Sequence, residues 1–114
     1  MPARRRRSAA PVEWVGGTVP MPMTVDDDDG GEPYRPAALL WLDPAGRRIA
    51  GFEIARPEAL PGLAAAHLHR TIAAPMDGPP GAPTRLRVDA EALADPLRDA
   101  FPDIEVVVAP TPEI

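Results

Sequence analysis

The sequence of 114 residues predicts a small α/β domain. Its mixed sheet combines an antiparallel hairpin with parallel strands, and two helices pack on the sheet. Two observations support this fold class. Apolar, β-branched runs alternate with segments of helical spacing over most of the chain. Turn residues, above all the seventeen prolines and nine glycines, stand mainly between these periodic segments. Because single domains commonly have ~100–150 residues, a chain of this length has room for one core and one domain.

The first half of the chain carries the strand signals. Residues 12–25 are rich in β-branched residues but contain glycines and prolines, so we expect one or two short strands at a sheet edge. Residues 26–36 are then a loop. Residues 37–43 are almost entirely apolar, which is typical of a strand buried on both faces, and residues 48–55 follow a Pro-Ala-Gly-Arg turn. Together they predict a β-hairpin over 37–55.

A helix is predicted over residues 56–75, because apolar residues recur every four positions, at Leu60, Ala64, Leu68 and Ile72. The helix begins either at Pro57 or near Pro61, since proline suits a first helical turn and disrupts a helix interior.

A strand, a helix and a final strand follow, over residues 84–89, 90–103 and 104–110. Asp89 can cap the helix, and Asp95 followed by Pro96 resembles a second helix start, so we expect a broken helix. The order strand, helix, strand, helix, strand predicts right-handed crossovers that place parallel strands side by side.

Charge is distributed unevenly along the chain. The net charge is −5, but Arg4, Arg5, Arg6 and Arg7 lie at the start, and residues 8–114 hold eight basic and seventeen acidic residues. We expect residues 1–11 to be a disordered basic tail and residues 12–114 to be the acidic α/β domain. An acidic body repels phosphate, so nucleic-acid binding by the domain is disfavoured, although the four arginines could contact phosphate by themselves.

Composition also bears on location. The chain has no cysteine, which excludes disulfides and thiolate metal sites. No apolar run approaches the ~20 residues that span a bilayer, and no apolar segment follows the arginine run as in a secretory signal. We therefore expect a cytoplasmic protein without membrane contact.

Two aspartates are the strongest candidates for chemistry. Asp43 and Asp89 each end a predicted strand, where ligands bind in open α/β sheets. If the two strands are neighbours, the two carboxylates could share Mg²⁺, with Glu53 as a third ligand. The structural alternative is that Asp43 begins a turn and Asp89 caps a helix.

Other candidate sites are weaker. Asp26–Asp29 lack the spacing of a calcium-binding loop, and four adjacent like charges favour a solvated loop. His67 and His69 project from opposite faces of the predicted helix and cannot form a two-histidine clamp, so we expect His67 to be a hydrogen-bonded core residue. Nucleophilic catalysis has little support, because the single serine, Ser8, lies in the basic tail.

The stretches "GEPYRPAALLWLDPAGRRIAGFEI", "PTRLRVDAEALADPLRDAF" and "IEVVVAPTPEI" resemble an uncharacterised bacterial domain family. The resemblance covers about residues 13–114 and implies no activity. More remotely, the order of elements resembles the ribonuclease H-like fold of integrases and transposases. In that fold one Asp ends the first strand, matched by Asp43, and a second follows a later strand, matched by Asp89. The family's third acid, on a helix after the last strand, has no counterpart beyond Glu113. Because carboxylates jointly hold the metal ions of two-metal phosphoryl transfer, this departure weakens the implied activity.

The sequence therefore predicts a non-catalytic accessory or protein-interaction domain that binds a protein partner or itself and needs no cofactor. The alternative function is a Mg²⁺-dependent nuclease or nucleic-acid-binding domain. It would use Asp43, Asp89 and Glu53 for metal and catalysis, and Arg4, Arg5, Arg6 and Arg7 for phosphate.

Overall fold

The computed structural model describes residues 12–27 and 29–114. The strands in this part of the chain are β1 (Glu13–Pro20), β2 (Ala37–Asp43), β3 (Arg48–Ala55), β4 (Arg85–Val88) and β5 (Glu105–Val108). The helices are α1 (Leu60–Ala73), which a 3₁₀ turn (Pro57–Ala59) precedes, and α2 (Glu91–Ala100). The strands form one sheet in the order β3-β2-β1-β4-β5.

The sheet is mixed, as the sequence predicts. β2 pairs antiparallel with both β1 and β3, whereas β4 pairs in parallel with β1 and β5 pairs in parallel with β4. The predicted hairpin is β2 and β3. The predicted side-by-side arrangement is correct for β4 and β5, but β3 and β4 run in the same direction with β2 and β1 between them.

The position of β1 differs from the prediction. It is one continuous strand in the centre of the sheet rather than one or two strands at an edge. The glycines make this possible, because a Cβ on Gly16 would lie 2.5 Å from Cζ3 of Trp41, whose side chain is fully buried above it. Pro20 stands at the last position of the strand, where its missing N–H interrupts the ladder least.

The first α-helix begins at Leu60, so the expected start near Pro61 is correct and the one at Pro57 is not. Pro57 begins the 3₁₀ turn, and Pro61 occupies the first turn of α1, where its missing N–H needs no partner within the helix. Leu60, Ala64 and Leu68 are buried, as their spacing predicts.

The second helix corrects two predictions. α2 is continuous rather than broken, although it contains Pro96. Ala92, whose carbonyl would accept the missing bond, is exposed to solvent, which lessens the loss. No side chain caps the start of α2: the capping position is Ala90, so Asp89 is not the cap. Asp95 lies 3.5 Å from Arg98 in an ion pair one turn along.

Both helices pack on the same side of the sheet, here called the helix side. Trp41, Gly16 and Val88 lie directly beside one another on three neighbouring strands, and α1 and α2 bury their apolar faces against this side. The opposite side is called the outer side, and α1 and α2 leave it uncovered. Neither helix is long and apolar enough to cross a membrane.

Candidate functional site

Asp43 is the last residue of β2, and its carboxylate organises the turn that follows. The backbone N–H of Gly46 donates to Oδ1 at 3.1 Å, and Nε of Arg48 donates to Oδ2 at 3.3 Å. A Cβ on Gly46 would lie 2.5 Å from Oδ2 of Asp43, so a larger residue here would have to displace this ion pair. Asp43 therefore has a structural role at the β2–β3 turn.

Asp89 directly follows β4 and lies far from Asp43. β1 stands between β2 and β4. Asp43 follows Leu42, which pairs with Val15, whereas Asp89 follows Val88, which pairs with Gly16, so the two aspartates are also offset along β1. Two strand spacings alone separate them by roughly 10 Å. The strands that carry them are not neighbours, and the structure does not bring the two aspartates together.

The other residues of the metal hypothesis lie elsewhere. Glu53 projects from β3 toward α1, where its Oε1 lies 3.5 Å from Arg70. Asp43 ends the second strand rather than the first, and β1 contains no aspartate, which departs from the ribonuclease H-like pattern. Within residues 12–27 and 29–114, no three His, Asp or Glu side chains are grouped to hold a metal ion. The candidate phosphate contacts Arg4–Arg7 and the predicted tail lie outside the described residues.

His67 is a buried, hydrogen-bonded core residue, as predicted. Nε1–H of Trp41 donates to its Nδ1 at 2.8 Å, and only 8% of the residue is exposed. Burial lowers the pKa of His67; Glu53 opposes this shift and Arg70 adds to it. His69 lies on the other side of α1 against the ring of Phe101, with the ring centroids 5.5 Å apart. Nδ1 of His67 thus accepts the hydrogen bond from Trp41 and so carries no proton, which favours the neutral imidazole.

The acidic loop before β2 is partly anchored rather than wholly solvated. Oδ2 of Asp27 lies 2.7 Å from Arg56, and the guanidinium of Arg56 lies 3.8 Å above the ring of Tyr34. The N–H of Asp29 donates to Oδ1 of Asp27 at 2.9 Å. Because Arg56 directly follows β3, these contacts fix the acidic loop at the carboxyl end of that strand.

One half of the outer side is covered by the end of the chain. Arg87 of β4, whose side chain is 16% exposed, donates to the carbonyl of Pro110 at 2.7 Å and pairs with Glu113 and Glu13. The hydrogen bonds to Glu113 and then to Glu13 raise the pKa of Arg87. Ile114 sits over Gly17, where a Cβ would lie 2.7 Å from its Cδ1. We call this half, over β1 and β4, the closed half.

The other half of the outer side is apolar, and no helix or strand of residues 12–27 and 29–114 packs on it. Register places Phe52 opposite Leu40, Ile54 opposite Ala38, and Ile49 opposite Leu42. Within this face Ile49, Phe52 and Ile54 are 47%, 45% and 40% exposed, and Leu40 and Leu42 are half-buried. These five side chains, Leu40, Leu42, Ile49, Phe52 and Ile54, are called the outer patch.

A shallow cleft of about 590 Å³ extends the outer patch at the amino end of β3. Leu42 and Ile49 of the patch line it together with Arg47 and Met76, and Met76 is 62% exposed. The N–H of Met76 also donates to the carbonyl of Ala50 at 2.8 Å, so the segment after α1 occupies part of the β3 edge. The face of β3 is therefore more accessible than its edge.

Sequence reasoning did not identify the residues that form the outer patch. The apolar run of β2 predicts a strand covered on both faces, and the apolar positions of β3 fit a core strand equally well. The only sequence signal is the spacing of Ile49, Phe52 and Ile54, which does not tell whether a second layer covers them.

Residues 3–114 match the model of a family described as "Domain of unknown function (DUF6930)". No curated protein matches the chain. The match confirms the predicted relation to an uncharacterised domain family and brings no activity with it.

Proposed function

The chain belongs to the DUF6930 family, a domain family of unknown function, and we propose that it is a non-catalytic domain that binds another protein. The observation that carries this proposal is the outer patch. Three large apolar side chains on one face of β3 are each exposed by about two fifths or more, and the facing positions of β2 are also apolar.

An exposed apolar face of this kind is a recognised feature of interaction surfaces. Single apolar side chains are common on protein surfaces, but contiguous ones are favoured where a partner removes them from water. Each Å² of apolar surface that a partner covers contributes roughly 25 cal/mol. Phe52 and its neighbours in the outer patch thus provide a driving force for association, and these apolar side chains carry no catalytic group.

The placement of the carboxylates favours this proposal over the Mg²⁺-dependent nuclease. Asp43 is bound to its own turn and to Arg48, and Asp89 lies beyond the intervening strand β1. The remote resemblance to the ribonuclease H-like fold, which the order of elements supports, remains a proposal. The bacterial origin and the cytoplasmic location that the sequence predicts are likewise proposals.

The first test is affinity capture from cells of the source organism with three immobilised proteins. These are the wild type, a Phe52→Glu, Ile54→Glu variant, and a Leu63→Glu control, whose substitution lies on α1 at a residue 41% exposed. A protein retained by the wild type and the control is then purified, and its affinity for each of the three is measured by calorimetry. We expect binding at least tenfold weaker for the patch variant alone. Equal binding by all three proteins contradicts the proposal.

A second test addresses the alternative directly. Thermal melting of the wild type and of an Asp43→Asn, Asp89→Asn variant is compared with and without Mg²⁺ or Mn²⁺. A ligand that binds only the folded state raises its stability by RT ln(1 + [L]/Kd), so a shared metal site would give a metal-dependent rise in the wild type alone. We expect the same metal-dependent change in both proteins.

A further inference from the structure

The outer patch also indicates which partner it fits, an inference that rests on the proposed function. We propose that the partner is a second copy of this chain. The two copies pack patch to patch about a two-fold axis, with their β3 strands antiparallel.

The chemistry of the patch limits its partners. On the outer face of β2 and β3 every position is apolar, since Ala38, Leu40 and Leu42 face Ile54, Phe52 and Ile49. A partner must therefore offer an apolar face of its own, and phosphate or other strongly charged ligands find no counterpart here. A two-fold interface uses the same surface on both subunits, so a uniformly apolar face is complementary to itself.

Charge at the two ends of the patch selects the antiparallel arrangement. Arg47 lines the cleft at the amino end of β3, and within the described residues no carboxylate lies within salt-bridge distance of it. The acidic loop, with Asp26 and Asp29 exposed, is fixed at the carboxyl end through Asp27 and Arg56. Antiparallel packing brings Arg47 of each copy toward the acidic loop of the other, whereas parallel packing would bring two acidic loops together.

The electrostatic contribution is expected to be modest. Asp77 lines the same cleft as Arg47 and lowers the positive charge there, and Asp43 neutralises Arg48. The face that β2 and β3 present is also small, roughly 17 Å by 10 Å from strand rise and spacing. Standard interfaces bury ~800 Å² per partner. The dimer should therefore be weak and depend on protein concentration.

The backbone conformation of Arg47 allows an independent test of whether its side chain takes part in association. Its φ of 58° lies in the left-handed region, which favours glycine, yet arginine occupies the position. Glycine at residue 47 should relieve this conformation and raise the melting temperature by about 2–4 °C. If the side chain also contacts the second copy, Arg47→Gly should increase stability and weaken association at once.

Sedimentation velocity over about 1 μM to 1 mM protein measures the association. For the wild type we expect a reversible monomer–dimer equilibrium. Phe52→Glu should weaken it at least tenfold, and Leu63→Glu should leave it unchanged. Circular dichroism confirms that each variant is folded.

Charge reversal tests the orientation. Arg47→Asp and Asp29→Arg should each weaken the dimer about threefold, and the two together should recover most of the loss, because the swapped charges attract again. Additive losses in the combined variant would overturn the antiparallel arrangement.

A wild type that stays monomeric at every concentration overturns the second-copy proposal but leaves the capture experiment to decide whether the patch binds a different protein. A dimer that Phe52→Glu does not weaken overturns the patch as the interface between copies. Capture of one partner by the wild type and Leu63→Glu, but not by the patch variant, still supports the proposed function in either case.

Discussion

The two sides of the sheet are built differently. On the helix side, Leu39, Trp41 and Leu86 are fully buried below α1 and α2. On the outer side, the end of the chain covers only the closed half, and the outer patch stays exposed. The same strands thus face a complete layer on one side and an incomplete layer on the other.

The difference between the two sides follows from where the helices pack. A sheet needs a packed layer on each apolar face, and one small domain supplies a limited number of layers. Here both helices lie on one side, and the closed half of the outer side is covered by residues 109–114, held by the polar contacts of Arg87. Within residues 12–27 and 29–114, the outer patch therefore lies where neither the helices nor residues 109–114 cover the sheet.

Two adjacent glycines of β1 provide the sharpest test of this difference. A Cβ on Gly16 meets the buried ring of Trp41, whereas a Cβ on Gly17 comes close only to the flexible tip of Ile114, the next atoms lying at 3.9 Å. We expect Gly16→Ala to lower the free energy of unfolding by about 3 kcal/mol, because the core cannot yield, and Gly17→Ala to change it by less than about 1 kcal/mol. Urea denaturation measures both, and equal losses would show that the two sides are equally rigid.

Removing the arginine that holds the closed half should have the next largest effect. Arg87→Ala loses hydrogen bonds to Glu113, Glu13 and the carbonyl of Pro110, so we expect a loss of about 2 kcal/mol. Arg85→Ala is the matched control, because Arg85 is half-exposed and contacts only Glu13, at 3.2 Å; it should cost less than about 0.5 kcal/mol. Hydrogen exchange at the amides of Thr111, Glu113 and Ile114 should accelerate in the first variant only.

A pH dependence should come from the helix side. His67 is neutral when folded and accepts a hydrogen bond from Trp41, and its pKa is lowered from 6.5 by burial. Below pH 6.5 the unfolded chain takes up a proton more readily than the folded chain, so stability is fully present above pH 6.5 and decreases as pH falls. Melting temperatures between pH 7.5 and 5 measure this loss. His67→Gln can still accept the hydrogen bond from Trp41, and its stability should depend less on pH. An unchanged pH dependence in this variant would assign the loss of stability to other titratable groups.

The smallest stability effect is expected in the outer patch. Phe52→Ser removes a side chain that is 45% exposed, so we expect a change within about 1 kcal/mol. Leu39→Ala, at a fully buried position on the helix side of the neighbouring strand, should cost about 3 kcal/mol. If Phe52→Ser is as damaging as Leu39→Ala in urea denaturation at low protein concentration, the patch belongs to the core of the monomer.

Much of the fold follows from local patterns in the sequence. The hairpin comes from two apolar runs around a Pro-Ala-Gly-Arg turn, and α1 from Leu60, Ala64 and Leu68 at helical spacing. The central place of β1 does not follow, because Gly16 and Pro20 read locally as signals of an edge. Gly16 fits in a central strand because the ring of Trp41 lies above it, and Pro20 is tolerated because the strand ends there.

The same division holds for the candidate site. The sequence by itself determined that Asp43 and Asp89 follow strands, that His67 lies on an apolar helix face, and that β3 carries Ile49, Phe52 and Ile54. Only the tertiary structure decided that β1 separates the two aspartates, that Trp41 donates to His67, and that no layer of the described chain covers the outer patch. The physical reason is that spacing along a chain fixes which face a side chain occupies, whereas strand order and the choice of covering layer depend on contacts between residues far apart in sequence.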